Sequence, residues 1–254
     1  MFAKGLTIAL IFSALVSQAT ARDALPPGFV YLRDIDPSIA QDMRYAGSNN
    51  FVGRPLPGYD APECVLRREA ALALKRVQAD LVRENLSLKV YDCYRPTRAV
   101  AAMARWSNDG ARDNPTKRFF PALEKRTLFA YGYIASQSAH STGTAIDLTL
   151  IKLPAAAPAA YDPMARYGAC TGPVGARAPD SSLDMGTAFD CFDPRSHTAS
   201  AAITAEQKFS RAELVAAMRL QGFKNYFREW WHFTYGSARA MQLYDFPIAP
   251  RATR

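Results

Sequence analysis

The sequence predicts an α+β fold, a small, largely antiparallel sheet with helices packed on one side. Three observations carry this expectation. The stretch 67–84 sets Ala70, Leu72, Leu74, Val77, Leu81 and Val82 at helical spacing among Arg, Lys, Gln and Glu. Runs at 86–93 and 144–150 alternate with the period of a strand. A further helical stretch, 210–220, is followed by an aromatic, β-prone run at 226–235.

Taken in order, the chain opens with Lys4, an apolar run at 5–16 and an Ala-Thr-Ala site ending at Ala21. A short positive start, about a dozen apolar residues and a small-residue site describe a cleaved secretory signal. Residues 1–21 are therefore expected to be removed, leaving 22–254 as a single exported domain in the periplasm or cell envelope. No later segment reaches the roughly 20 apolar residues of a spanning helix. The 254 residues, 49% hydrophobic and 21% charged, suffice for one well-buried domain or a domain with a sizeable insertion.

After a polar lead-in, 29–32 is a short strand candidate and 34–37 a turn or helix start. The stretches 44–51 and 53–58 are rich in turn formers and form an ordered surface loop. Tyr45 sits there as a packed loop aromatic. The helix at 67–84 comes next, then the strand at 86–93, in which Leu88, Val90 and Asp92 are expected to share one face. Residues 94–97 stop that strand, and Thr97 is placed to cap a helix over 98–108. Arg95 thus lies between strand and helix, either functional or simply solvated. Residues 109–130 are basic and broken by Asn114 and Pro115, so a loop with a short helix is expected. Strands at 131–134 and 144–150 flank the stretch holding Ser138 and His140.

The region 152–200 is long and irregular, and loops of that length are usually functional or disordered. It contains Cys170 and Cys191, and a disulfide there favours an ordered insertion that walls a site. Ser210 and Glu213 have capping-box spacing for the helix that Gly222 ends. In an oxidising compartment the four cysteines form two disulfides. Pairing in order, Cys64 with Cys93 and Cys170 with Cys191, closes the shortest loops. A zinc–thiolate site is the alternative, although no Cys-x-x-Cys pair is present. The net charge of +8, spread over a large domain without a Lys/Arg run or a base-stacking motif, speaks for solubility or an anionic envelope rather than nucleic acid.

The chemistry concentrates in few residues. His140 and Asp147 stand seven apart with Gly143 between them to turn the backbone. An imidazole and a carboxylate so held are two thirds of a catalytic zinc site, which usually takes three protein ligands and leaves a fourth position for water. His232, three residues after Glu229 in an aromatic setting, supplies the third. A core histidine beside a stray glutamate is the plainer account of that pair, but a carboxylate buried among tryptophans is costly without a partner or a shifted pKa. In an ideal strand, residues three apart point to opposite faces, so a bulge or strong twist is required for both to address one site.

Together these residues are recognisable. Ser138-x-His140 with Gly143, Ala145 and Asp147, the run Glu-Trp-Trp-His-Phe at 229–233, and Tyr-Asp-Cys-Tyr-Arg-Pro at 91–96 resemble the zinc D-alanyl-D-alanine peptidases. The likeness is greatest to the dipeptidases of the vancomycin-resistance type. It covers most of the mature chain, including Arg-Tyr-Ala at 44–46, Asn-Phe-Val-Gly-Arg-Pro at 50–55 and Met-Gly-x-x-Phe-Asp at 185–190. The resemblance implies one zinc per chain, held by His140, Asp147 and His232 at the open face of the sheet. It further implies Glu229 as catalytic base, Arg95 as stabiliser of the oxyanion, and Asp190, Tyr45 and Ser138 as contacts to a small D,D-dipeptide.

This chain differs from the simplest members in its export signal and its longer, cysteine-bearing segment before Met185. The first suggests salvage of wall-derived dipeptide in the envelope. The second leaves open a D,D-carboxypeptidase acting on longer stem peptides. A non-catalytic wall-binding protein with a structural zinc is a third reading, but binding needs neither a base nor an oxyanion donor.

Overall fold

The computed structural model describes residues 25–111, 114–157, 159–236 and 242–251. The expected signal segment lies outside them. Strand β1 (Phe29–Tyr31) runs straight into the single turn α1 (Leu32–Ile35), and β2 (Ala40–Gln41) follows. Next come β3 (Val65–Arg67), α2 (Arg68–Arg83), β4 (Leu86–Asp92) and α3 (Thr97–Ser107). The C-terminal half holds β5 (Ala145–Lys152), α4 (Ala205–Leu220), β6 (Phe223–Asn225) and β7 (His232–Tyr235). β1 and β3 form a two-stranded sheet, and the other five strands a second sheet ordered β2-β4-β5-β7-β6. Every pair in the larger sheet is antiparallel except β2 with β4, so the expected α+β class and sheet type hold.

The strand alternation explains which face receives the helices. Leu88 pairs with Leu150, Val90 with Leu148 and Ile146 with Phe233, and these pack with Leu74, Val77 and Leu81 of α2 and Leu214 and Met218 of α4 in one apolar core. Each such buried Leu or Val contributes about 1.5–3 kcal/mol relative to exposure. A second core lies off the sheet, where α3 contributes Ala99, Met103 and Trp106 beside Tyr45, Phe51, Phe120 and Phe192.

Several expectations are corrected. Asp92 does not share the face of Leu88 and Val90, because a register shift lies between Val90 and Asp92 and sets Asp92 opposite Asp147. One extra residue in a strand sends the next side chain to the other face. Residues 131–134 are turns, not a strand, and the main chain there bonds back to itself, with Tyr133 N–H donating to Leu128 O. The run 226–235 is interrupted: Tyr226 N–H bonds His232 O, closing a turn between β6 and β7.

Helix caps also moved. Thr97 is the first helical residue of α3, with Pro96 at the cap position and no side-chain cap bond. α4 starts earlier than the Ser210 box suggested; Thr204 and Gln207 make the reciprocal capping box, and Ser210 is an interior position. The short strands β2, β3 and β6 have too few residues for a periodic signal.

Both expected disulfides, Cys64–Cys93 and Cys170–Cys191, are present. Closing loops of this length removes unfolded-chain entropy worth about 3.5 kcal/mol each in the chain-entropy account. Between β5 and α4 the described residues contain no strand and only short 3-10 turns. Buried ion pairs hold this segment on the sheet, since Asp180 meets Lys89 of β4 and Arg44. No helix among the described residues is long and apolar enough to cross a membrane.

Candidate active site

The face of the larger sheet turned away from α2 and α4 carries the candidate site, beneath the second core. Asp147 points there from the first half of β5, and the register of β5 with β7 sets His232 directly across from it. His140 arrives from the 3-10 turn Ala139–Thr142, which precedes β5. Ser138 starts that turn, its Oγ accepting from His140 N–H at 3.2 Å. Gly143 ends it in the left-handed region (φ 79°), where an added Cβ would stand 2.3 Å from the Phe29 ring. Glu229 belongs to the turn before β7 rather than to the strand, with its N–H bonded to Tyr226 O. Opposite-face alternation therefore never applies to Glu229 and His232, whose Oε2 and Nδ1 lie 3.8 Å apart.

Three donor atoms converge. His232 Nδ1 is 3.0 Å from Asp147 Oδ1 and 3.1 Å from His140 Nε2, which is 3.3 Å from the same Asp147 oxygen. A tetrahedral ion with bonds of about 2.0–2.1 Å needs donor atoms roughly 3.3 Å apart, so the triangle fits a cation of that size. The tautomer fits as well. His140 Nδ1 lies 2.7 Å from Cys93 O; a carbonyl can only accept, so Nδ1 carries the proton and Nε2 presents a lone pair to the triangle. Among the described residues these three form the His/Cys/Asp/Glu group able to hold a metal ion. Burial pushes the Asp147 carboxyl up, but the two imidazoles override it and hold it well below the usual carboxylate range.

Arg95, in the link between β4 and α3, is tied to the same turn: its N–H donates to His140 O and its carbonyl accepts from Ser141 Oγ. Its guanidinium pairs with Asp92 at 2.8 Å, lies 3.6 Å from Asp147 and sits over the Tyr45 ring. Burial opposes the Arg95 charge, but Asp92 together with Tyr45, Tyr59 and Asp147 outweighs it and holds its pKa well above the ordinary value. Asp92, fully buried, also accepts from Tyr59 Oη at 2.7 Å. Neither Asp92 nor Tyr59 was singled out from sequence. An aspartate ending an apolar strand three residues before an arginine was the available signal.

Glu229 is lifted by burial, with help from Asp147 and against His232 and Arg95, to about 7. Asp190 lies in the irregular segment after β5, in the left-handed region (φ 57°). Its carboxylate accepts from Tyr45 Oη at 2.8 Å. Burial pushes Asp190 well above the usual carboxylate range, and the nearby Asp147 adds to this. Tyr45 is thus both a packed loop aromatic and a site hydroxyl.

A cavity of about 250 Å³ is lined by Tyr45, Arg95, Ser138, His140, Asp147, Asp190, Glu229 and His232, so every residue singled out from sequence meets in one place. Phe51, Phe192 and Trp231 supply apolar wall. The arrangement combines a cation-sized donor triangle, a carboxyl poised near neutrality, a buried guanidinium and a further carboxyl, Asp190, in the cavity wall. Such a set suits hydrolysis of a small polar substrate.

The chain matches a family model described as D-ala-D-ala dipeptidase over residues 26–160 and 178–249. It is 31% identical over 222 residues to a D-alanyl-D-alanine dipeptidase of Enterococcus faecium, covering 87% of this chain and 98% of that one. A D-alanyl-D-alanine dipeptidase of Enterococcus faecalis is 33% identical over 207 residues, with 81% and 90% covered. One of Streptomyces coelicolor is 32% identical over 222 residues, with 87% and 98% covered.

Proposed function

Because the chain belongs to the D-Ala-D-Ala dipeptidase family of metallopeptidases, we propose that it is an exported zinc enzyme hydrolysing the dipeptide D-Ala-D-Ala. The observation that carries this reading is the convergence of the His140, Asp147 and His232 donor atoms beside the buried Glu229 carboxyl. Two imidazoles and one carboxylate are a donor set that suits zinc. His140, Asp147 and His232 would hold the ion, which would supply an acidified water and polarisation of a carbonyl oxygen.

The remaining work falls to the chain's own groups. Glu229, with a pKa near 7, can take a proton from the attacking water and return it to the departing amine nitrogen. Arg95 lines the same cavity and offers a permanent positive charge to the oxyanion that develops on the scissile carbonyl. Asp190 and Tyr45 pair with each other at the cavity wall, where a carboxylate can meet the free ammonium of a dipeptide. Ser138 lines the pocket and steadies the His140 turn. The cavity, of about 250 Å³, has room for a dipeptide. The apolar leader at 5–16 and the two disulfides support export to an oxidising compartment.

The test compares hydrolysis of D-Ala-D-Ala with that of an N-acetylated D-Ala-D-Ala peptide, each with and without a chelator. Chelator-sensitive cleavage of the free dipeptide, restored by zinc, is expected. Cleavage of the blocked peptide alone would overturn both the dipeptidase reading and the role of Asp190.

A further inference from the structure

Both disulfides end one residue from a carboxylate of the site: Cys93 follows Asp92, and Cys191 follows Asp190. The surroundings of each bridge differ in a way that separates their effects. β4 ends at Asp92, whose pairing with Asp147 closes the ladder to β5. Cys93 is the first residue beyond it, yet its carbonyl is the acceptor that fixes the His140 ring and tautomer. Beyond its link to Asp92 and its packing in the main core, Cys93 is restrained from outside the large sheet by the bridge to Cys64 and the neighbouring bond from Tyr94 N–H to Val65 O. Cys64 is itself held, with its N–H on Gln41 and its carbonyl accepting from Leu32 N–H.

Cys191 lies in a segment with no strand ladder. Asp190 is held there in a left-handed conformation that non-glycine residues rarely adopt. The Cys170–Cys191 bridge is joined by Ala188 N–H to Cys170 O, Phe192 N–H to Phe119 O and Ser196 Oγ–H to Cys191 O. All of these fix the backbone around Asp190, and none reaches the donor triangle.

We propose that the two disulfides are positioning elements with separate targets: Cys64–Cys93 fixes His140 for metal binding, and Cys170–Cys191 fixes Asp190 for substrate binding. The inference rests on the metal and substrate roles proposed above. Each bridge forms when two thiols give up two protons and two electrons to a disulfide-bearing oxidant, which leaves as a dithiol. The thiol form of the chain is then a weak binder of metal and of substrate, and the site reaches full strength only after oxidation.

Two double variants test this, C64S/C93S and C170S/C191S. Zinc affinity is measured by competition with a chromophoric chelator, and KM and kcat for D-Ala-D-Ala at saturating zinc. C64S/C93S is expected to bind zinc at least about tenfold more weakly, the scale for loss of a group orienting a ligand, with KM within twofold of wild type. C170S/C191S is expected to raise KM by about tenfold or more while zinc affinity stays within twofold. Bridges that only stabilise would lower the melting temperature of both variants and leave both binding constants alone, which overturns the proposal; so does an identical pattern in the two variants. Wild-type protein that binds no zinc removes the metal assignment itself, a result distinguishable because it appears before any substitution. Should either variant fail to fold, the wild-type protein reduced by a trialkylphosphine, with both bridges open, is expected to bind zinc at least about tenfold more weakly and to show a KM about tenfold higher or more. Unchanged zinc affinity and KM, with both bridges shown open by mass spectrometry, overturns the proposal.

Discussion

Replacing Arg95 by methionine removes a buried charge from two partners at once, and the two consequences can be separated. Asp92 is fully buried and accepts from the guanidinium at 2.8 and 2.9 Å. Breaking one side of a buried pair typically costs 3–5 kcal/mol, because the other charge is left uncompensated. Asp92 would keep its bond from Tyr59 and its proximity to His140 Nδ1 at 3.4 Å. The loss should therefore lie at the low end, about 3 kcal/mol, or a fall of about 6–12 °C in melting temperature for a chain of this size. Turnover should fall on the order of 100- to 1000-fold, the cost of losing an oxyanion donor. Adding Asp92→Asn removes the stranded charge while still accepting from Tyr59. R95M/D92N should accordingly recover to within about 1 kcal/mol of wild type in a denaturant melt, since neutral replacement of a whole buried pair costs little. Its turnover should stay about as low as that of R95M. Recovery of kcat together with stability would refute the argument, because it would make Arg95 a partner for Asp92 and nothing more.

Glu229→Gln should retain zinc, since Glu229 is not one of the three converging donors, and lose most turnover. Burial lifts the Glu229 carboxyl to about 7, and a bound cation can only pull it back. The base form exists above its pKa, so kcat/KM should rise with pH through a single acid limb between about 4.5 and 7, and a limb above that range would count against Glu229. Asp190 is raised by burial, so its carboxyl favours folding while protonated, and that contribution is lost as pH rises through its folded pKa. Asp190→Asn should therefore melt higher than wild type above neutrality in metal-free protein, yet show a KM for D-Ala-D-Ala about tenfold higher or more; a lower melting temperature at high pH would contradict the sign. Gly143→Ala combines a left-handed φ with a Cβ 2.3 Å from the Phe29 ring. It should destabilise by about 2 kcal/mol or more in denaturant melts, and unchanged stability would show that the His140 turn is not fixed in this way.

The residue types of the site were legible because chemistry of this kind needs few side chains, and the chain has three histidines to choose from. His140, Asp147 and His232 do meet, and Arg95, Glu229, Asp190, Tyr45 and Ser138 line the same cavity. The helix α2 and the strands β4 and β5 were equally legible, since the period of each is written into consecutive residues, although β4 and β5 are buried on both faces. The cysteine pairing followed from order along the chain.

Other features depended on partners far away in sequence. The Asp92 side chain faces the site only because β4 slips by one residue against β5, a register that local alternation does not encode. Glu229 escapes strand alternation because the Tyr226–His232 bond breaks a long aromatic run into a turn and a short strand. The α4 start lay with Thr204 and Gln207, although Ser210 and Glu213 offered the same spacing; Arg211, inside the helix, bonds the distant carbonyls of Met185, Arg195 and His197. By itself the sequence determined which chemical groups the protein carries and the period of its longer elements, because those depend on neighbours along the chain. The tertiary structure decided which groups share a face, which carbonyl orients His140, and which carboxylate stands beneath Arg95, because cross-strand register and long-range hydrogen bonds exist only once distant segments have met.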